Sequence, residues 1–118
     1  MRLVPEVVHK AQVRQDGRGG GLARLAGAAR VICRSDEVLE GGDGIRFTVQ
    51  VCGEAVAAFL VRYGGRVYAY RNSCAHVPVE LDWQPGRFFD TGGTYLICAT
   101  HGALYEPESG YCVAGPCR

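Results

Sequence analysis

The chain has 118 residues, a formal net charge of +1 and 47% hydrophobic residues, which suits one soluble domain with a modest core. A charge this close to zero gives no global electrostatic case for nucleic-acid or membrane binding, and no apolar run approaches the length needed to span a bilayer. The charge is nevertheless uneven: residues 1–34 hold seven basic side chains against Glu6 and Asp16, while residues 35–118 hold ten acids against six arginines.

In chain order, residues 1–27 differ from the rest. Gln15–Gly21 is polar and glycine-rich, the composition of a flexible linker, and Val4, Val7 and Val8 before it are too few to decide between strand and helix. The expectation is a flexible or loosely packed extension over 1–27 and a folded domain over 28–118. Gly21–Ile32 is interrupted by Arg24 and Arg30, which makes it a poor signal-peptide core. No twin-arginine pair lies near the start, so a cytoplasmic location is expected. Without an export signal, six cysteines point to a metal site rather than a disulfide framework.

From Ala28 onward short strands dominate. Ala29–Cys33 is apolar, and Ser35 after it can cap a single helical turn. Ile45, Phe47, Val49 and Val51 alternate at period two, the pattern of a half-buried strand. Glu54–Tyr63 and Arg66–Tyr70 are apolar runs joined by Gly64-Gly65, a hairpin turn pair. Phe88-Phe89 and Thr94–Cys98 flank a second turn at Asp90–Gly93, and Ala103–Glu106 precedes a third at Pro107–Gly110. No long helix and no internal repeat appear. The expected fold is all-β: a small antiparallel β-sandwich or partly open barrel.

Two cysteine–histidine pairs carry the chemistry. Cys74-Ala75-His76 and Cys98-Ala99-Thr100-His101 each follow a predicted strand, and 21 residues separate His76 from Cys98. A hairpin of that length brings the two loops face to face at one end of the sheets. A single buried cysteine is commonplace, but two independent pairs at ligand spacing point to a metal. Each pair offers one thiolate and one imidazole, the requirement of an asymmetric [2Fe–2S] centre with cysteines on one iron and histidines on the other. Structural zinc also takes Cys2His2 sets, although zinc fingers place the cysteines in one pair and the histidines in the other.

These pairs, followed by Gly102, resemble the Rieske [2Fe–2S] motif, C-x-H followed by C-x-x-H-G, and the resemblance covers about Ala28 to the C-terminus. It implies a Rieske-like β fold with cluster-binding loops at one end and one [2Fe–2S] cluster per chain. Cys74 and Cys98 would bind one iron, and His76 and His101 the outer one. Gly102 would allow close backbone approach. Tyr105 falls where the family carries an aromatic near a ligand sulfur, and Gly115-Pro116 resembles the loop that covers the cluster. Quinol-oxidising relatives add a disulfide and a serine beside the cluster, where this chain has Val79, Thr100 and Ala103. Losing that hydroxyl bond to cluster sulfur should lower the potential, toward roughly −150 mV at the low end of the Rieske range.

What the resemblance implies is a soluble ferredoxin type, similar to the ferredoxin component of aromatic-ring dioxygenase systems. Such a protein is a one-electron carrier between a flavin reductase and a terminal oxygenase, with no catalytic substrate pocket. Its histidines would sit at an exposed tip, its acidic surface would suit a basic redox partner, and its potential should fall as pH rises. The chain is not an oxygenase by itself: of three histidines, only His9 is left after the cluster, too few for a two-histidine facial triad. Two other readings stay open, a structural or regulatory module with a zinc or iron–sulfur site that binds a protein partner, and a sensor that signals by cluster loss. Cys33 and Cys52 are expected as buried structural thiols. Cys112 and Cys117, which bracket Val-Ala-Gly-Pro, could pair or tune access to the cluster but in a reducing compartment are expected as thiols, with no role assigned. Family domains continue past the Gly-Pro loop with more strand. The sheet is therefore expected to close with fewer strands, aided by the N-terminal extension, unless the domain is truncated at Arg118.

Overall fold

The period-two segment Ile45–Val51 becomes the outer strand of a three-stranded antiparallel sheet, and the two apolar runs after it supply the other strands. The computed structural model describes residues 1–5, 8–10, 22–25, 31–75 and 77–116. In chain order the strands are β1 (Val8–Lys10), β2 (Leu22–Leu25), β3 (Val31–Arg34), β4 (Ile45–Val51), β5 (Glu54–Tyr63), β6 (Arg66–Arg71), β7 (Leu96–Ile97), β8 (Leu104–Tyr105) and β9 (Cys112–Ala114). They form three antiparallel sheets ordered β1-β2-β3, β4-β5-β6 and β7-β8-β9. The architecture is therefore all-β and antiparallel, as the sequence predicts, and Ser35–Glu37 is the expected single turn, of 3-10 type. No helix among the described residues is long and apolar enough to cross a membrane.

The central β5 explains the layering. Its side chains alternate between two cores: Ala58 and Leu60 face one, and Phe59 and Val61 the other. A strand buried on both faces reads as a continuous apolar run rather than an alternating one, as Ala55–Val61 does. The first core packs Cys33 and Val38 against Phe47, Val49, Leu60 and Ala69. The second packs Phe59, Val61 and Tyr70 against Leu81, Phe88, Leu96, Tyr105 and the cysteines Cys74 and Cys98. Hence one face of the central sheet carries the β3 layer and the other carries the layer built around β7–β9.

Two-residue turns with positive φ join the central strands: Cys52-Gly53 (φ 51 and 82) and Gly64-Gly65 (φ 59 and 78). The second is fixed by Glu40, whose carboxylate accepts the Gly64 and Gly65 amides at 2.8 and 2.7 Å. Cys52 is thus an exposed turn residue and not the expected buried thiol. The apolar flanks hid a turn whose only sequence signal is Gly53.

Most of the segment 1–27 lies outside the described residues, including the Gln15–Gly21 linker. The described parts of it are paired. Strands β1 and β2 extend β3 into a sheet. Leu3 is fully buried in the second core. The Leu3 amide donates to Gly110 O, the Arg71 amide to Val4 O, and the Cys112 amide to Met1 O, each at 2.8 Å. Residues 1–5 are therefore a fixed part of the β9 edge, unlike the loose extension the glycine-rich composition suggests. One buried leucine in a five-residue stretch is too weak a pattern to register in sequence.

Candidate metal centre

Both candidate ligand loops, those of the two cysteine–histidine pairs, hang from the second core. The first leaves β6 at Arg71. Within it the Cys74 amide donates to Val79 O at 2.8 Å, and the Val79 amide to Val77 O at 2.7 Å, so the chain doubles back immediately after Cys74. The second leaves β7 at Ile97 and is tighter. The Gly102 amide donates to Cys98 O at 2.7 Å and the Cys98 amide to Ala103 O at 2.9 Å. Gly102 has φ +71, a left-handed conformation that glycine adopts without strain. A Cβ there would meet no protein atom within 4 Å, so within the protein the constraint on this glycine is its φ. Close approach does occur at Gly115, where a Cβ would lie 2.9 Å from Ala103 Cα. The Gly115-Pro116 loop therefore lies directly on the second ligand loop.

Cys74, Cys98 and His101 come together, with one ligand atom from each, all within 4.8 Å of one another. His76 lies outside the described residues. The group is asymmetric in burial: both cysteines are buried, while His101 is partly exposed. His101 Nδ1 lies 3.7 Å from Cys98 Sγ. Burial, followed by the bond to Cys74 among the raising causes, pushes the Cys98 thiol up. Metal ligation requires the thiolate, so loading the site releases protons.

Tyr105 is the other polar group here. It is fully buried, its hydroxyl lies 3.1 Å from Cys74 Sγ, and it accepts the Ala75 amide at 3.0 Å. With a lone pair engaged by that amide, the hydroxyl proton is free to point at the sulfur. Burial, and then the bond to Cys74, push the Tyr105 pKa up, so the phenol keeps that proton. The expected aromatic beside the Cys74 sulfur is therefore present, with its hydroxyl placed to donate to a thiolate there.

A buried polar pair beneath the loops has no sequence signature. Asn72 Nδ2 donates to Asp82 Oδ1 at 2.8 Å, and the Leu81 amide donates to Asn72 Oδ1 at 2.8 Å. The two residues stand ten positions apart and belong to no motif. Cys112, expected as a thiol, is disulfide-bonded; Cys117 lies outside the described residues.

Two buried thiols and a half-exposed imidazole on facing loops fit the mixed sulfur–nitrogen ligation of a [2Fe–2S] centre. No curated protein and no solved structure matches the chain. A family model does: the Rieske [2Fe–2S] domain, over residues 28–118. The chain belongs to the Rieske family, whose domain binds a [2Fe–2S] cluster, and Cys74, Cys98 and His101 form the group that fits it.

Proposed function

We propose that this chain is a ferredoxin-type electron carrier whose cluster is held by Cys74, His76, Cys98 and His101. The observation that carries the reading is the burial asymmetry, with two buried thiols beside a partly exposed imidazole. Cys74 and Cys98 would hold the inner iron, shielded from water by Leu81, Leu96 and Ala103. His101, with His76 from the other loop, would hold the outer iron and present it to a partner. When bound, the cluster supplies a reversible one-electron couple. The Tyr105 hydroxyl supports Cys74 Sγ by donating to it, and the Ala75 amide holds that hydroxyl in place.

The electron donor on this reading is a flavin reductase and the acceptor a terminal oxygenase, with the acidic surface of residues 35–118 guiding a basic partner. Ala103, buried beside the second loop, carries no hydroxyl, which favours a potential near roughly −150 mV. A Rieske domain over 28–118, to which the described residues before it pack, belongs to the same proposal. So does a cytoplasmic location.

Dye-mediated redox titration, followed by stopped-flow reduction with an NADH-dependent flavin reductase, tests the assignment. A reversible one-electron couple and rapid reduction, slowed by salt, are expected. A protein that folds fully on zinc and has no couple would instead be a structural or regulatory module. Cluster loss that is fast under mild oxidation and precedes any electron exchange would favour a sensor.

A further inference from the structure

We propose that Asp82 is a positioning residue for the cluster: with Asn72 and Arg46 it clasps the two ligand loops together and sets a buried negative charge beneath them that lowers the reduction potential. The inference rests on the ligand assignment above and goes beyond it to residues outside the motif. Apart from the buried tyrosines, Asn72 and Asp82 are the two buried polar residues among the described ones, and they bond to each other. The Asp82 side chain is 0% exposed and lies 3.1 Å from Arg46 Nε. It also accepts the Gly86 amide at 2.9 Å. Three donors thus surround one buried carboxylate, which satisfies its charged form.

The bonds lead to both ligand loops. Asn72 stands two residues before Cys74, and its amide donates to Ala57 O on β5 at 2.8 Å. Its side chain holds the Leu81 amide, and Leu81 O in turn accepts the amide of Ala99, the residue after Cys98, at 3.0 Å. Arg46 reaches the clasp from the face of β4 opposite Phe47 and Val49, and its other nitrogen meets Glu80 at 2.9 Å. Only the Asp82 end of this pair is buried, Arg46 being 41% exposed, and a carboxylate taken out of water is a poor source of stability, since apolar replacements often do as well or better. Its place between the two ligand loops supplies a different reason for it. A fixed negative charge near a centre that gains an electron opposes reduction, and a fixed positive charge favours it.

Three variants of the loaded protein test this at pH 7 and low salt, read by redox titration, electron paramagnetic resonance and iron release to a chelator. Asp82→Asn keeps the shape and removes the charge. It should shift the equilibrium toward the reduced form about threefold, or about 30 mV upward for a one-electron couple, and speed iron release. Arg46→Gln should shift the potential downward. Glu80→Gln, half-exposed and screened, should move it less than Asp82→Asn. An unchanged potential in Asp82→Asn, or shifts of the same sign in Asp82→Asn and Arg46→Gln, would overturn the proposal. Should Asp82→Asn fail to fold, Arg46→Gln decides alone: no downward shift overturns it. Wild-type protein without a Rieske-type signal would defeat the ligand assignment instead.

Discussion

The central sheet and the layer that bears the ligands are built by different means. Strand β5 is 10 residues long and pairs with both β4 and β6, whereas β7 and β8 have 2 residues each and β9 has 3. Backbone ladders and burial on both faces hold the first region. The second depends on single bonds, such as Tyr105 to the first ligand loop, Asn72 to Asp82 and the Asp90 carboxylate to the Thr94 amide at 2.9 Å. A scaffold of the first kind folds on its own pattern, and a site of the second kind is specified residue by residue. The comparison can be broken at four places.

The largest effect is expected at a ligand. Cys98→Ser should abolish cluster retention, with iron content falling to background, while the strand signal in far-ultraviolet circular dichroism persists because the central sheet is independent. Full iron content would remove Cys98 from the ligand set, and loss of the strand signal would contradict the independence of the sheet. Next is the joint between the regions. Phe88 is fully buried and stacks on Phe59 of β5 at 3.9 Å between ring centroids and 11° between planes. Phe88→Ala should destabilise by about 3–5 kcal/mol in denaturant titration. A cost below about 1 kcal/mol would mean that the layers are not packed together there.

Tyr70 reaches from β6 into the ligand layer, where its hydroxyl donates to Pro107 O at 2.7 Å. Burial, and then Tyr68, push its pKa up to about 12. Because the folded value is raised, the stability it contributes is fully present below the free-tyrosine pKa near 10 and is lost as pH rises through about 12. The loss amounts to about 2–3 kcal/mol at most. Tyr70→Phe should flatten that alkaline slope; an unchanged slope would place its origin elsewhere. The smallest effect is Tyr105→Phe, which deletes the donor to Cys74 Sγ. It should cost about 1 kcal/mol and, since the bond strengthens as the sulfur gains charge, lower the potential by about 20–60 mV. A rise in potential would show that the hydroxyl does not donate to the sulfur.

Legibility in sequence follows the same division. Ile45–Val51 and the Gly64-Gly65 hairpin are readable because period two and paired glycines are local signals. Cys74, Cys98 and His101, the group placed to hold a metal, are readable because metal chemistry fixes residue type and spacing. What stayed hidden depends on contacts between distant residues. Leu3 is buried against residues from β5 to β8, yet it sits in a segment that composition marks as loose. Asn72 and Asp82 look like ordinary polar loop residues until the fold encloses them. Cys52 lies between two apolar runs, and only its φ of 51 shows a turn where sequence suggests a strand. The ligand loops are thus announced by their chemistry, whereas the bonds that aim them are visible only in the folded chain.

The most direct test of the account is iron and acid-labile sulfide analysis of anaerobically purified protein, with an electron paramagnetic resonance spectrum after dithionite reduction. The account predicts iron and sulfide in equal amounts, one [2Fe–2S] cluster per chain, and a Rieske-type signal that reports histidine ligation. Zinc without sulfide, or a spectrum of the all-cysteine type, would contradict it.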